Sequence, residues 1–190
     1  MLNIRFNAVL PTFLAAIVAT ALSTTSVSAD QKVAMIDGAT MYPDRTIVEN
    51  ASNAESLSTL VAAVKAADLV ATLSGEGPFT VFAPTNEAFG KLPEGTVDTL
   101  LKPENKDQLQ SILTYHVVSA KATANAVVGM IESGGGEASV KTVQGGELTL
   151  MLEGDKVIVE DAQGNLATVT AADVMQSNGV VHVVDTVLLP

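Results

Sequence analysis

The two histidines are the side chains of this 190-residue chain best suited to acid–base or metal chemistry, and each lies inside an apolar run. His116 and His182 could act as a general base or as zinc ligands. A zinc site needs three or four protein ligands, and without cysteine the remainder would have to be carboxylates. The apolar surroundings favour the other interpretation, in which each ring is buried and hydrogen-bonded to the backbone or to a neighbouring side chain.

No nucleophile or phosphate-binding motif accompanies the histidines. The sequence has no Gly-x-Ser-x-Gly elbow, and Ser133 precedes a run of three glycines that would hold a nucleophile poorly. That glycine run also lacks the spacing of a dinucleotide-binding or phosphate-binding loop. We therefore predict a non-enzymatic protein with no catalytic residue, no metal ligand and no cofactor.

The first 29 residues have the layout of a secretory signal peptide. Arg5 stands in a short polar start, an apolar run covers residues 9–22, and small residues lead to Ala29. The apolar run is too short and too early to favour a membrane span. We predict cleavage after Ala29 and a secreted product, periplasmic or extracellular, with no lipid anchor and no membrane span.

The charge of the chain excludes one class of partner. The predicted signal peptide holds one of the ten Lys and Arg residues and none of the 21 Asp and Glu residues, so the remainder has a formal net charge of 9 − 21, or −12. Such a surface repels the phosphates of nucleic acid and of anionic lipid. Nucleic-acid binding is therefore not expected.

The remaining 161 residues suffice for one domain with a core of its own. Residues 30–45 show no clear periodicity and are predicted to be an arm that lies across the domain or is partly mobile. From Thr46 apolar residues recur at helical spacing as far as Leu73, and further helices are predicted near residues 86–89, 96–101 and 103–116. The domain is assigned to residues 46–190.

After Val118 the pattern changes from helices to strands. Gly134–Gly136 indicates a flexible loop, and strands are predicted at residues 140–143, 147–152, 157–160, 167–170 and 180–188, with glycine-rich turns between them. Helices mainly in the N-terminal half and strands mainly in the C-terminal half indicate an α+β fold.

Three segments in this order resemble the signature motifs of the fasciclin (FAS1) domain family. They are FTVFAPTNEAF at residues 79–89, YHVV at residues 115–118 and NGVVHVVDTVLLP at residues 178–190. The resemblance covers residues 46–190 and implies a β-sheet wedge with helices packed around it. It also implies an extracellular adhesion module.

Most residues of these motifs are predicted to be structural. Thr85 can cap a following helix, the Asn178–Gly179 dipeptide suits a turn with positive φ, and Asp185 needs a polar partner if it is buried. The structural set is Phe82, Pro84, Thr85, Asn86, Phe89, Asn178, Gly179, His182 and Asp185.

The resemblance also implies two partner-binding motifs. In animal members a tyrosine–histidine pair flanked by apolar residues is implicated in integrin recognition, and here the pair is Tyr115–His116. A second family motif, an aspartate followed by an aliphatic residue, corresponds to Asp173–Val174, with valine in place of isoleucine. For both motifs the alternative is packing within the domain.

These observations predict a secreted adhesion module that binds a cell-surface or matrix component, either protein or glycan. Because a single domain offers one site, firm adhesion would need multivalency, for example through a weak homo-oligomer. The alternative function is a carrier of a small apolar molecule or lipid, with Met130, Met151 and Met175 as adaptable lining residues.

Overall fold

The computed structural model describes residues 33–190, so the predicted signal peptide lies outside the described residues. The described chain begins with an antiparallel hairpin of strands β1, Ala34–Ile36, and β2, Ala39–Met41. Asp37 and Gly38 form its turn with φ of 47° and 82°, values that Asp and Gly tolerate best in two-residue hairpins. The segment predicted to be an arm thus contains regular structure, with Ile36 and Met41 buried in the core.

Seven α-helices follow within the described residues, together with 3-10 turns at Glu55–Leu57 and Pro103–Asn105. Thr46, Thr85 and Thr123 cap three of the helices, each with its hydroxyl accepting a backbone N–H. The helices are α1, Ile47–Ala51; α2, Ser58–Ala66; α3, Val70–Leu73; α4, Asn86–Gly90; α5, Thr96–Leu100; α6, Lys106–Tyr115; and α7, Ala124–Ser133.

A break at Asp68 divides the helical pattern that the sequence suggested up to Leu73. Asp68 has φ of 60°, and its N–H donates to the carbonyl of Lys65 while the N–H of Leu69 donates to the carbonyl of Val64. This pair of hydrogen bonds is the Schellman arrangement, with Asp in the left-handed position that glycine usually takes. Helix α2 therefore ends at Ala66, and α3 begins in a new direction.

Helix α7 was not predicted from the sequence. It presents Val127 and Ile131 to the core at i, i+4 spacing, and both are buried. Its apolar residues Ala124, Val127, Val128 and Ile131 follow the i, i+3, i+4, i+7 spacing of a helix, so the sequence carried a signal that the prediction missed. The glycine run predicted as a loop follows directly after it.

The strands form one seven-stranded sheet in the order β4-β3-β9-β8-β7-β6-β5. Only the pairing of β3 with β9 is parallel, and it brings the first signature segment alongside the second. The strands are β3, Phe79–Pro84; β4, Val117–Val118; β5, Glu137–Lys141; β6, Glu147–Glu153; β7, Lys156–Glu160; β8, Leu166–Gln176; and β9, Gly179–Val184.

Three strands differ clearly from the prediction: β5 begins and ends earlier than the predicted residues 140–143, and β8 and β9 differ in length. Strand β8 extends to Gln176 because register shifts between Val169 and Val174 let it bend and continue pairing with β9. Strand β9 ends at Val184, and Asp185 still bonds to β8 through its backbone N–H, which donates to the carbonyl of Thr168 at 3.1 Å. Val187 and Leu188 are nevertheless buried.

Strands β3 and β9 lie between two apolar clusters. From β3, Val81 and Ala83 point into a cluster shared with α1–α6, whereas Phe82 points into a second cluster with Tyr115 and Ile131. Strands β3 and β9 are thus buried on both faces, which explains their predominantly apolar sequences. The architecture is the predicted α+β wedge, with most helices in the N-terminal half and the strands mainly in the C-terminal half.

Candidate functional site

Tyr115 is the last residue of α6, and its side chain is fully buried. Its hydroxyl donates to the carbonyl of Glu147 at 2.7 Å and accepts from the amide of Ala162 at 2.9 Å. Burial raises the pKa of the phenol. The ring therefore fastens α6 to β6 and to the turn between β7 and β8.

His116 caps the same helix and is also buried, at 2% exposure. Its Nδ1–H donates to the carbonyl of Ile112 at 2.8 Å, and its Nε2 accepts from the amide of Leu188 at 3.0 Å. These partners require the neutral tautomer with the proton on Nδ1. Burial lowers the pKa of His116 to about 4.

Asp173 lies at the irregular part of β8, with φ of 57°. Its Oδ1 accepts from the amide of Ala124 at 2.7 Å, which satisfies the first N–H of helix α7. The next residue, Val174, points into the first apolar cluster and is buried. The aspartate–aliphatic pair thus joins the bend of β8 to α7 and to the core.

His182 in β9 forms hydrogen bonds that join the backbone of Asp173 to the backbone of Ala122. Its Nε2–H donates to the carbonyl of Ala122 at 2.7 Å, and its Nδ1 accepts from the amide of Asp173 at 3.4 Å. The ring stacks on Phe82 with centroids 5.7 Å apart. Burial lowers the pKa of His182, so this ring is also neutral at pH 7.

The two predicted partner-binding pairs lie in one connected network. The amide of Phe82 donates to the carbonyl of His116 at 2.9 Å, and the Phe82 ring stacks on His182, which accepts from Asp173. The side chains of Tyr115, His116 and Val174 are buried, and Asp173 is half-buried. Recognition of a partner at these four residues stays a prediction.

The asparagines of the two signature segments join helices to the sheet. Asn86 accepts from the amide of Thr59 at 3.0 Å and donates to the carbonyl of Glu55 at 2.8 Å. Asn178 accepts from the amide of Ile47 at 3.1 Å and donates to the carbonyl of Leu73 at 2.8 Å. Each side chain satisfies backbone groups at helix ends, which would otherwise lack partners.

The other residues predicted to be structural are buried or partly buried. Pro84 ends β3, and Phe89 of α4 belongs to the first cluster. Asp185 finds the polar partners that it was expected to need: Thr168 N at 2.8 Å, Thr186 Oγ1 at 3.0 Å and Lys91 Nζ at 3.3 Å. Although burial acts to raise the pKa of Asp185, these donors hold it below its usual value.

The reason predicted for the Asn178–Gly179 dipeptide is wrong, because neither residue has a positive φ. Glycine is needed at position 179 for a different reason. A Cβ there would lie 2.1 Å from the carbonyl oxygen of Phe79, on the neighbouring strand. Close approach of two backbones therefore determines this residue.

Sequence reasoning missed Asp161, a buried carboxylate that accepts four hydrogen bonds. Its Oδ1 accepts from the amides of Gln163 and Asn165, and its Oδ2 accepts from Asn165 Nδ2 and from the amide of Leu189, each at 2.9 Å. The local signal was present in the sequence Asp-Ala-Gln-Gly-Asn, which suits an Asx-turn. The contact with Leu189 had no local signal.

An apolar cavity of about 30 Å³ lies beneath α1 and α2, lined in part by Ile47, Leu60, Val81 and His116. It has room for a water molecule or two, far below the roughly 300 Å³ at which common ligand sites begin. None of the three methionines proposed for a carrier lines it. Residues 33–190 contain no group of three or more His, Asp or Glu side chains arranged to hold a metal ion.

This combination of a mixed seven-stranded sheet, helices that pack into both apolar clusters and motif residues with internal partners is the fasciclin architecture. The fasciclin domain model matches residues 55–190, and the chain belongs to that family. Within residues 33–190 no helix is long and apolar enough to cross a membrane.

The similar proteins come from bacteria and animals. Protein sll1483 of Synechocystis is 54% identical over 84% of this chain and 82% of that protein. Cell surface glycolipoprotein MPB83 of Mycobacterium bovis is 40% identical over 74% of this chain and 58% of its own length. A solved FAS1 domain pair from the insect cell adhesion molecule Fasciclin I has a TM-score of 0.69 and 19% identity, covering 77% of this chain and 51% of that one.

Proposed function

We propose that this protein is an exported, non-catalytic adhesion module that binds a cell-surface or matrix component, protein or glycan. The family match over residues 55–190 carries the proposal. The similarity to a protein described as a cell surface glycolipoprotein supports an exported location. In this proposal residues 1–29 are the signal peptide and residues 46–190 are the adhesion domain.

The geometry of the histidines supports a non-catalytic role. Each ring donates to a backbone carbonyl through one nitrogen and accepts from a backbone amide through the other. A general base needs a free nitrogen within reach of a substrate proton. Both rings are instead fully used in holding the domain together.

Because most of the motif side chains are buried, we propose that the binding surface lies elsewhere on the domain. Tyr115, His116 and Val174 are buried, so we propose that they affect a partner by holding the surface residues around them. Affinity per domain is expected to be weak, and avidity would come from several copies on one surface or from a weak homo-oligomer.

A bead assay tests the proposal. Beads coated with the mature protein are mixed with cells of the source organism, beside beads coated with an inert protein of similar net charge. Capture by the mature protein above the charge-matched control supports adhesion, whereas equal capture by both would overturn it. A folded Asp173→Asn variant, which keeps the acceptor for Ala124, is expected to capture as well as the wild type.

If the coated beads capture no cells, the alternative function, a carrier of a small apolar molecule or lipid, is tested next. The closed apolar cavity of about 30 Å³ would have to open to admit a lipid. Native mass spectrometry of protein purified from its source organism would then decide, because a carrier retains a bound mass that an adhesion module lacks.

A further inference from the structure

A large groove lies where the two signature segments meet the N-terminal hairpin. It is open to solvent and has a volume of about 590 Å³, within the roughly 300–1,000 Å³ of ligand-binding clefts. Its walls come from the β1–β2 turn, the 3-10 turn at Glu55–Leu57, the start of α4, and strands β8 and β9. None of the residues predicted to bind a partner lines it.

Four carboxylates line this groove: Asp37, Glu55, Glu87 and Asp185. Of these four carboxylates, only Asp185 has a cation of the described residues within ion-pair distance, the Lys91 ammonium at 3.3 Å. The other three are exposed and lack such a partner among the described residues. The groove therefore offers negative charge that the domain itself leaves largely unneutralised.

The four carboxylates are too dispersed to chelate a single ion. No three of the acidic side chains in the described part of the chain are placed to hold a metal. Separate carboxylates along a groove suit separate cations carried by one extended ligand. Side chains of Lys or Arg provide such cations on flexible apolar stems.

The groove also has apolar and hydrogen-bonding features that a peptide could use. Ile36 and Val183 are buried beneath it, and Met35 stands at its rim with 65% of its surface exposed. An exposed methionine adapts to varied aliphatic partners. Ser56 also lines the groove, and its Oγ is the one buried side-chain polar atom in residues 33–190 without a hydrogen-bond partner.

We propose that this groove binds an extended basic segment of a partner protein. Lys or Arg side chains of the segment pair with Asp37, Glu55 and Glu87, and an aliphatic side chain between them contacts Met35. Rotation of the Ser56 side chain, whose Oγ is buried in the unbound domain, would bring its hydroxyl to a backbone carbonyl of the segment. The inference rests on the proposed adhesion function, because it names the surface and the chemistry of the partner that the adhesion module recognises.

A peptide titration tests the groove directly. The probe is a blocked heptapeptide of alternating lysine and leucine, and its counterpart has glutamate in place of lysine. Binding to the full mature chain is measured by calorimetry, and the site is located by amide chemical shifts. The lysine peptide should bind, with the largest shifts at Ile36, Ala171 and Val183, and the glutamate peptide should not.

Two variants with the same change in net charge separate the groove from general electrostatic attraction. Glu55→Gln/Glu87→Gln removes two groove carboxylates, whereas Glu137→Gln/Glu147→Gln removes two exposed carboxylates of strands β5 and β6. We expect the groove variant to lose at least tenfold in affinity and the control variant less than twofold. Equal losses, or shifts that lie outside the groove, would overturn the proposal.

The bead assay distinguishes failure of the groove from failure of the adhesion function. If wild-type beads capture cells and groove-variant beads capture them equally, the groove proposal fails and adhesion stands. If wild-type beads capture no cells while the lysine peptide still binds in the groove, adhesion fails and the groove remains a peptide-binding surface.

Discussion

The Nε2 of His116 accepts a hydrogen bond from the amide of Leu188 at 3.0 Å, so the end of α6 holds the second signature segment. The neighbouring amide, that of Leu189, donates to the Asp161 carboxylate at 2.9 Å. Two buried polar side chains thus fix two consecutive backbone amides. The tyrosine–histidine motif is tied to the last segment of the fold by this arrangement.

Replacing His116 should destabilise the domain more than its size suggests. His116→Ala leaves a cavity and removes the acceptor for the buried amide of Leu188, so we expect a loss of about 3 kcal/mol in the free energy of unfolding. Urea denaturation followed by circular dichroism measures the loss. Lys65→Ala, at an exposed position of α2, is the control, with an expected change below about 0.5 kcal/mol. A similar small change in both variants would contradict the role of His116.

Stability should fall between pH 6.5 and about 4 because of His116. Its pKa is about 4 in the folded state and 6.5 without burial, so within this window the unfolded chain binds the proton and the folded one does not. The neutral ring therefore contributes fully above pH 6.5, and its contribution is lost as pH falls toward 4. His182 acts in the same direction, since burial lowers its pKa as well.

Urea midpoints at pH 7, 5.5 and 4 measure this effect, with His116→Gln as the comparison. Glutamine keeps an amide side chain for hydrogen bonding but cannot titrate, so its stability should depend less on pH than that of the wild type. An unchanged pH dependence in His116→Gln would assign the effect to other groups.

Gly179→Ala should prevent normal folding. The added Cβ would lie 2.1 Å from the Phe79 carbonyl oxygen, which is held in the parallel pairing of β3 with β9. The matched control is Gly129→Ala within α7, where nothing lies within 4 Å of the new Cβ. There alanine should stabilise the helix by about 0.5–1 kcal/mol. Thermal melts of both variants provide the test, and a folded Gly179→Ala with wild-type stability would refute the close approach.

Asp173 should protect the start of α7 from opening. Asp173→Ala removes the acceptor for the Ala124 amide and places alanine at a φ of 57°, with an expected loss of about 2 kcal/mol. Asp173→Asn keeps an acceptor and tolerates the left-handed backbone, so its loss should be below about 1 kcal/mol. Hydrogen exchange at Ala124 reports the local effect. Unchanged protection in Asp173→Ala would show that Thr123 alone holds this helix end.

Several local features could be predicted from the sequence because their causes are local. Thr85 caps α4 as expected, since the hydroxyl and the amide it satisfies lie three residues apart. The predominantly apolar sequence of Val180–Val184 correctly indicated a strand buried on both faces. Two elements were missed: helix α7, whose helical apolar spacing was overlooked, and the short hairpin around Asp37–Gly38, which lies in a segment without periodicity.

The sequence by itself determined the α+β class, most of the helices and strands, and the family, because these follow from periodicity and from three contiguous motifs. Only the tertiary structure decided what the motif side chains do. Tyr115, His116 and Asp161 find partners 32, 72 and 28 residues away, and no local pattern specifies such contacts. Likewise, the acidic groove exists only because folding brings the hairpin, α4 and β9 together, and their spacing along the chain gives no sign of it.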